Sequence, residues 1–152
     1  MKKILFLLLA FVAFQSCVDN NTTFTGEDGV YYGNLIVGEY TEMAGISVTE
    51  ITDTTVDIFF DNVKFAKAMP VRIDITVKGV RSEKTADILS FSAVNIDPYM
   101  NKEPDPQPGY RFSEIYGVVV GNELSLSAKM ADDLKGTPAG KNFAFKGVCE
   151  ID

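Results

Sequence analysis

The strongest constraint on this chain is a period of two. Val71, Ile73, Ile75 and Val77 alternate with Arg72, Asp74, Thr76 and Lys78. Leu124, Leu126, Ala128 and Met130 alternate with Glu123, Ser125, Ser127 and Lys129, and Phe143, Phe145, Gly147, Cys149 and Ile151 with Ala144, Lys146, Val148 and Glu150. Side chains of an extended strand point to opposite faces in turn, so each run predicts a strand covered on one face only. Further β-rich runs lie at Val30 to Val37, Ala44 to Thr52, Thr55 to Val63, Ile88 to Ile96 and Arg111 to Val120. In Thr55 to Val63, Val56, Ile58 and Phe60 share one face, with Thr55, Asp57 and Asp61 on the other. Asp53-Thr54 and Gly121-Asn122 supply two-residue links, and Pro70 stands at the head of a run, where its missing N–H does little harm. The expectation is all-β, with about eight antiparallel strands. An up-and-down barrel and an immunoglobulin-like sandwich both satisfy one-sided alternation; they differ in whether sequential neighbours pair and the first strand closes on the last. One helical turn is expected at Ala131 to Leu134 or at Phe65 to Ala68. No longer segment has a helical period.

Ahead of the strands lies a different kind of segment. Lys2 and Lys3 precede an unbroken apolar run of eleven residues, Ile4 to Phe14. A bilayer-spanning helix needs roughly 20 such residues, so the run fits the hydrophobic region of a secretory signal. It ends in Phe14-Gln15-Ser16-Cys17, which resembles the lipobox of bacterial lipoproteins, in a loose form similar to that of Bacteroidetes. The resemblance implies that residues 1–16 are removed and Cys17 is acylated. Residues 17–29 are then anchor and tether, and residues 30–152 the folded domain. One acyl chain holds a protein only marginally, whereas two or three hold it stably. The resemblance implies an envelope location, in the outer membrane. The face is left open, because Asp19 alone is acidic directly behind the cysteine. With Cys17 acylated, Cys149 has no partner in the chain and reads as a small buried side chain, since no histidine or dense positive cluster is near to activate a thiol.

Charge removes several functions. The chain carries 14 Lys plus Arg against 21 Asp plus Glu; without Lys2 and Lys3 the net charge moves from −7 to −9. That disfavours nucleic acid and anionic lipid headgroups as partners. Histidine is absent, and with it the commonest general base and metal ligand. No G-x-S-x-G elbow, phosphate loop or cysteine pair of zinc spacing is present.

Taken in order, Tyr32 to Val37, Asp57 to Val63, Ile73 to Val77, Gly117 to Leu126 and Phe143 to Gly147 resemble the calycin-like β-barrel domain of Bacteroidetes lipoproteins. The resemblance spans roughly residues 30–152 and implies an eight-stranded meander closed into a small barrel. Lipocalins carry Gly-x-Trp in the first strand; here Gly33 stands without any tryptophan, so the relation to them is one of shape, and shape does not give function.

Three constellations invite a chemical reading. Asp57, Asp61 and Asp74 sit on polar faces of neighbouring strands, where a carboxylate pair for hydrolysis is conceivable but solvated outer-face residues are the commoner outcome. Asp97, Glu103 and Asp105 offer oxygen ligands for Ca²⁺ without EF-hand spacing. Their loop, Asp97 to Gly109, holds four prolines, and long ordered loops are often functional. Tyr31, Tyr32, Tyr99, Tyr110 and Tyr116 present amphipathic surfaces near turns. No enzyme activity, catalytic residue, metal or cofactor is expected. The expected role is binding by a membrane-anchored lipoprotein, either of a small apolar ligand or of an envelope partner at the barrel mouth. A structural or assembly protein with a filled core is the alternative.

Overall fold

Alternation becomes a cylinder. The computed structural model describes residues 29–149; the signal, Cys17 and the tether lie outside them. Nine strands form one sheet: β1 (Val30–Val37), β2 (Tyr40–Thr52), β3 (Thr55–Val63), β4 (Ile73–Thr85), β5 (Ile88–Ile96), β6 (Tyr99–Met100), β7 (Phe112–Val120), β8 (Glu123–Met130) and β9 (Asn142–Val148). Eight of them pair antiparallel in chain order, and β1 closes on β9 with Leu35 opposite Phe145. The two-residue β6 lies outside this ring and pairs only with β4. This is the up-and-down barrel, and closure of the first strand on the last excludes the sandwich. Full closure leaves no long sheet edge to pair with another chain.

The inner face is largely apolar, with Ser82 and the Glu42 carboxylate as polar exceptions. Leu35, Ile46, Ile58, Phe60, Ile75, Ile115 and Leu124 are at most 1% exposed, each withdrawn from water for about 1.5–3 kcal/mol. Two inner positions are glycines because a neighbouring ring occupies the space: the Phe91 ring lies over Gly117, and the Phe145 ring over Gly147.

The long β4 departs from the sequence reading. Val71 lies outside it and is exposed, and the strand runs on to Thr85 rather than stopping near Lys78. Gly79, at φ +67°, makes a bulge, and the register with β3 shifts between Val56 and Ile58. One extra residue inverts the phase of alternation, so Val77 and Val80 are both buried. The Asp57 carboxylate accepts the Gly79 N–H at 2.8 Å and pins the bulge. No helix forms at 131–134 or 65–68; the latter closes a turn, Met69 N–H to Ala66 carbonyl. The described helical turn is a 3-10 turn, Pro108–Tyr110.

The two ends differ. At one, the hairpin end, strands are joined by the two-residue links Asp53-Thr54, Ala86-Asp87 and Gly121-Asn122. At the other, the loop end, come the Gly38-Glu39 link and the segments 64–72, 97–111 and 131–141. β1 begins and β9 ends at the hairpin end. Cys149 follows β9 there, 3% exposed, as a small buried residue. It is not a free thiol, which corrects the expectation of an unpartnered cysteine.

Tyr31, in β1 near the hairpin end, is fully buried, and its hydroxyl has no hydrogen-bond partner among the described residues. Burial, and secondarily the charge of Glu50, pushes its phenol well above the usual 10.0. A raised pKa means that the folded state holds the proton longer than the unfolded state. This contribution is therefore complete below pH 10 and is lost as pH climbs beyond it. Tyr31→Phe removes the unpaired hydroxyl and keeps the ring. It is expected to leave stability at pH 7 unchanged or raised by about 1 kcal/mol, and to flatten the alkaline limb. Urea melts between pH 7 and 11 read both; a loss above about 1 kcal/mol at pH 7 would mean that the hydroxyl is satisfied.

Candidate functional site

The loop end is plugged from within by aromatic rings. Phe143 meets Phe112 at 5.6 Å and Phe65 at 5.4 Å, both edge to face. Phe60 stacks on Phe112 at 6.3 Å, and Phe65 on Tyr110 at 5.8 Å. These separations fall in the favourable range for aromatic pairs. The barrel at this end is therefore occupied by its own side chains.

Above the plug lies a groove of ≈ 560 Å³, the size of a small-molecule site. Three segments build it. The 64–72 loop gives Phe65, Met69 and Val71; the 97–111 loop gives Gly109 and Tyr110; the 131–141 loop gives Lys135 and Pro138. No carboxylate lines it.

Glu42 of β2 fixes the first of these loops. Its side chain is 7% exposed and meets Arg72 at 2.8 Å. It also accepts the Lys64 backbone N–H and the Tyr40 hydroxyl, both at 3.0 Å. Both carboxylate oxygens are thereby engaged, and both ends of the 64–72 loop are held to the wall. The donated bond raises the Tyr40 pKa. Arg111 pairs with Asp97 at 2.9 Å across the base of the proline-rich loop, and Ala131 N–H donates to the Arg111 carbonyl at 2.9 Å, tying the second loop to the third.

The residues singled out from sequence fall mostly elsewhere. Asp57 caps the Gly79 bulge, and Asp74 accepts the Asn62 N–H at 3.0 Å; Asp61 is exposed. These are backbone-holding and surface positions, not a facing pair. Asp97 is held by Arg111, and Glu103 and Asp105 are exposed. Among the described residues no three acidic or cysteine side chains come together as a metal group. Of the five tyrosines, Tyr110 alone lines the groove. Tyr31 is core, Tyr32 and Tyr116 are exposed on the outer wall, and Tyr99 lies under the Lys78 ammonium at 4.1 Å. The proline-rich loop reaches the groove only at its 3-10 turn. Phe65, Met69, Lys135 and Pro138 were not anticipated; all lie in segments without periodicity.

A second surface feature runs across the outer wall near the hairpin end. Ile88 pairs with Val120, Val120 with Glu123, Glu123 with Val148, and Val148 with Tyr32. Four of these five are apolar or aromatic and between 41% and 52% exposed.

No family model matches the chain, and no curated protein matches it. Among solved structures it is similar to one from Bacteroides fragilis described as a "putative outer membrane protein". The identity is 18% and the TM-score 0.52, with 79% of this chain and 50% of that one covered. This chain therefore spans about half the length of that protein, and the likeness is one of fold.

Proposed function

We propose that the protein is a lipid-anchored bacterial envelope protein with a calycin-like barrel that binds a small ligand at its mouth. The groove over the aromatic plug carries the reading: it is concave, largely apolar, of ligand size and held by three loops. It revises the expected place of binding from the strand-lined interior, which side chains occupy, to the mouth above it. The Bacteroides fragilis neighbour, itself described only as a putative outer membrane protein, is in keeping with an envelope setting.

Anchorage at Cys17 gives the groove a direction. β1 starts at the hairpin end, and a tether of residues 18–29 spans at most roughly 40 Å when fully extended. The tether would then join the barrel at the end opposite the groove. Radiolabelled palmitate is expected to enter the wild-type chain in its host and not the Cys17→Ser variant; no label in wild type would remove the anchor from this reading.

Every strand of the closed barrel lies within residues 29–149, so residues 18–152 carry the whole fold. Native mass spectrometry of this soluble form, purified gently from the native host, is expected to retain a small molecule. A bare mass would favour a second reading, a structural protein with a filled core. The exposed pairs Ile88–Val120 and Val148–Tyr32, on either side of Glu123, support that alternative, because exposed apolar surface rimmed by polar groups marks contact with a partner.

A further inference from the structure

We infer that the mouth groove selects an anion: a compact apolar body bearing one carboxylate or comparable acidic group. The inference rests on the mouth-binding reading and adds the charge of the ligand. Its basis is a local reversal of charge. The chain as a whole has net charge −7, yet residues 64–72 and 131–141, which supply most of the groove lining, carry Lys64, Lys67, Arg72, Lys135 and Lys141 against Asp132 and Asp133, a net of +3, with Asp132 already paired with Lys129. Arg72 is engaged by Glu42. Lys135 is the charged side chain in the lining, and it has no ion pair among the described residues. An ammonium at the edge of an apolar groove, with no carboxylate to answer it, gains most from an anionic group brought in by the occupant. The body of the ligand would lie over Met69, Val71 and Tyr110, above the stacked Phe65–Tyr110 rings. A neutral apolar ligand would use the same surface and leave the lysine without an answer. A cation would be opposed by it.

The test holds the body constant and changes the head. Residues 18–152, labelled with ¹⁵N, are titrated with 2-naphthoate, 2-naphthylmethanol and 2-naphthylmethylamine, and backbone shifts locate the binding. Naphthoate is expected to perturb 64–72, 109–110 and 135–138 and to bind at least about fivefold more tightly than the alcohol, with the amine weakest. Lys135→Met is expected to bring naphthoate to the affinity of the alcohol measured on the same variant. Equal binding of all three at the groove would overturn the charge preference while sustaining mouth binding. Shifts from none of them, or shifts confined to other residues, would overturn both. Retention of the naphthoate preference in Lys135→Met would overturn the role of that lysine.

Discussion

Gly33→Ala is expected to cost the barrel about 3 kcal/mol or more, a large share of the roughly 5–15 kcal/mol available to a domain of this size. Gly33 of β1 sits directly opposite Gly147 of β9 in the pair that closes the cylinder. A methyl group added there would fall on the Lys146 carbonyl oxygen and lie 2.6 Å from Gly147 Cα. These close atoms are all backbone of β9, so no side-chain rotation relieves the overlap, and the two strands must separate. The midpoint of thermal unfolding should fall by about 10–15 °C. Gly79→Ala is the companion measurement. Its φ of +67° disfavours a side chain, but nothing lies within 4 Å of the new carbon, so the cost is about 1–2 kcal/mol of backbone strain alone. Urea unfolding of both variants separates the effects. A Gly33→Ala penalty no larger than that of Gly79→Ala would mean that β1 and β9 do not approach this closely.

Phe143→Ala should match or exceed that loss, at about 3–5 kcal/mol for a buried phenylalanine, and should also abolish ligand binding. Its ring is the hub of the plug, in edge contact with Phe112, Phe65 and Phe60. Removing it takes the support from Phe65, on which the groove floor rests. Phe91→Ala supplies the comparison: Phe91 is equally buried but packs over Gly117, on strands that do not line the groove. It should lose comparable stability and keep its response to 2-naphthoate in the same shift titration. If Phe143→Ala, studied where it is still folded, binds as well as Phe91→Ala, the plug does not hold the groove in shape.

What sequence could reveal follows from what repeats. In β8 and β9 strict alternation identifies the inner face residue by residue, because a half-covered strand must alternate. The bounds of β3 and β5 follow equally well, since turn residues flank both. The β4 bulge escaped because one extra residue at Gly79 reverses the phase, and the reversal resembles a strand end. The β6 pairing escaped because two residues carry no period. The groove was least legible. Lys64 to Arg72 contains apolar and basic residues in no order that a strand or helix would produce; only the folded chain brings Phe65 over Phe143 and Lys135 beside them. Prolines and carboxylates drew notice to residues 97–109, but most of that loop spaces and braces the mouth without lining it.

The place where the chain enters and leaves the cylinder has a consequence for how it assembles. Tyr32 and Val148 are direct partners at the hairpin end, so the strands at opposite extremes of the sequence form the seam that completes the ring. Every other wall pair joins strands that are neighbours in chain order around the ring. The β1–β9 contact therefore carries the largest single loop-closure cost of the domain, and contacts of such separation slow folding. The ends are also close enough to be spliced. A circular permutant joined there and opened at Gly121-Asn122 would turn the seam into a hairpin and make β7–β8 the last pair to zip. The finished barrel would be the same, reached with its slow step moved to the opposite wall.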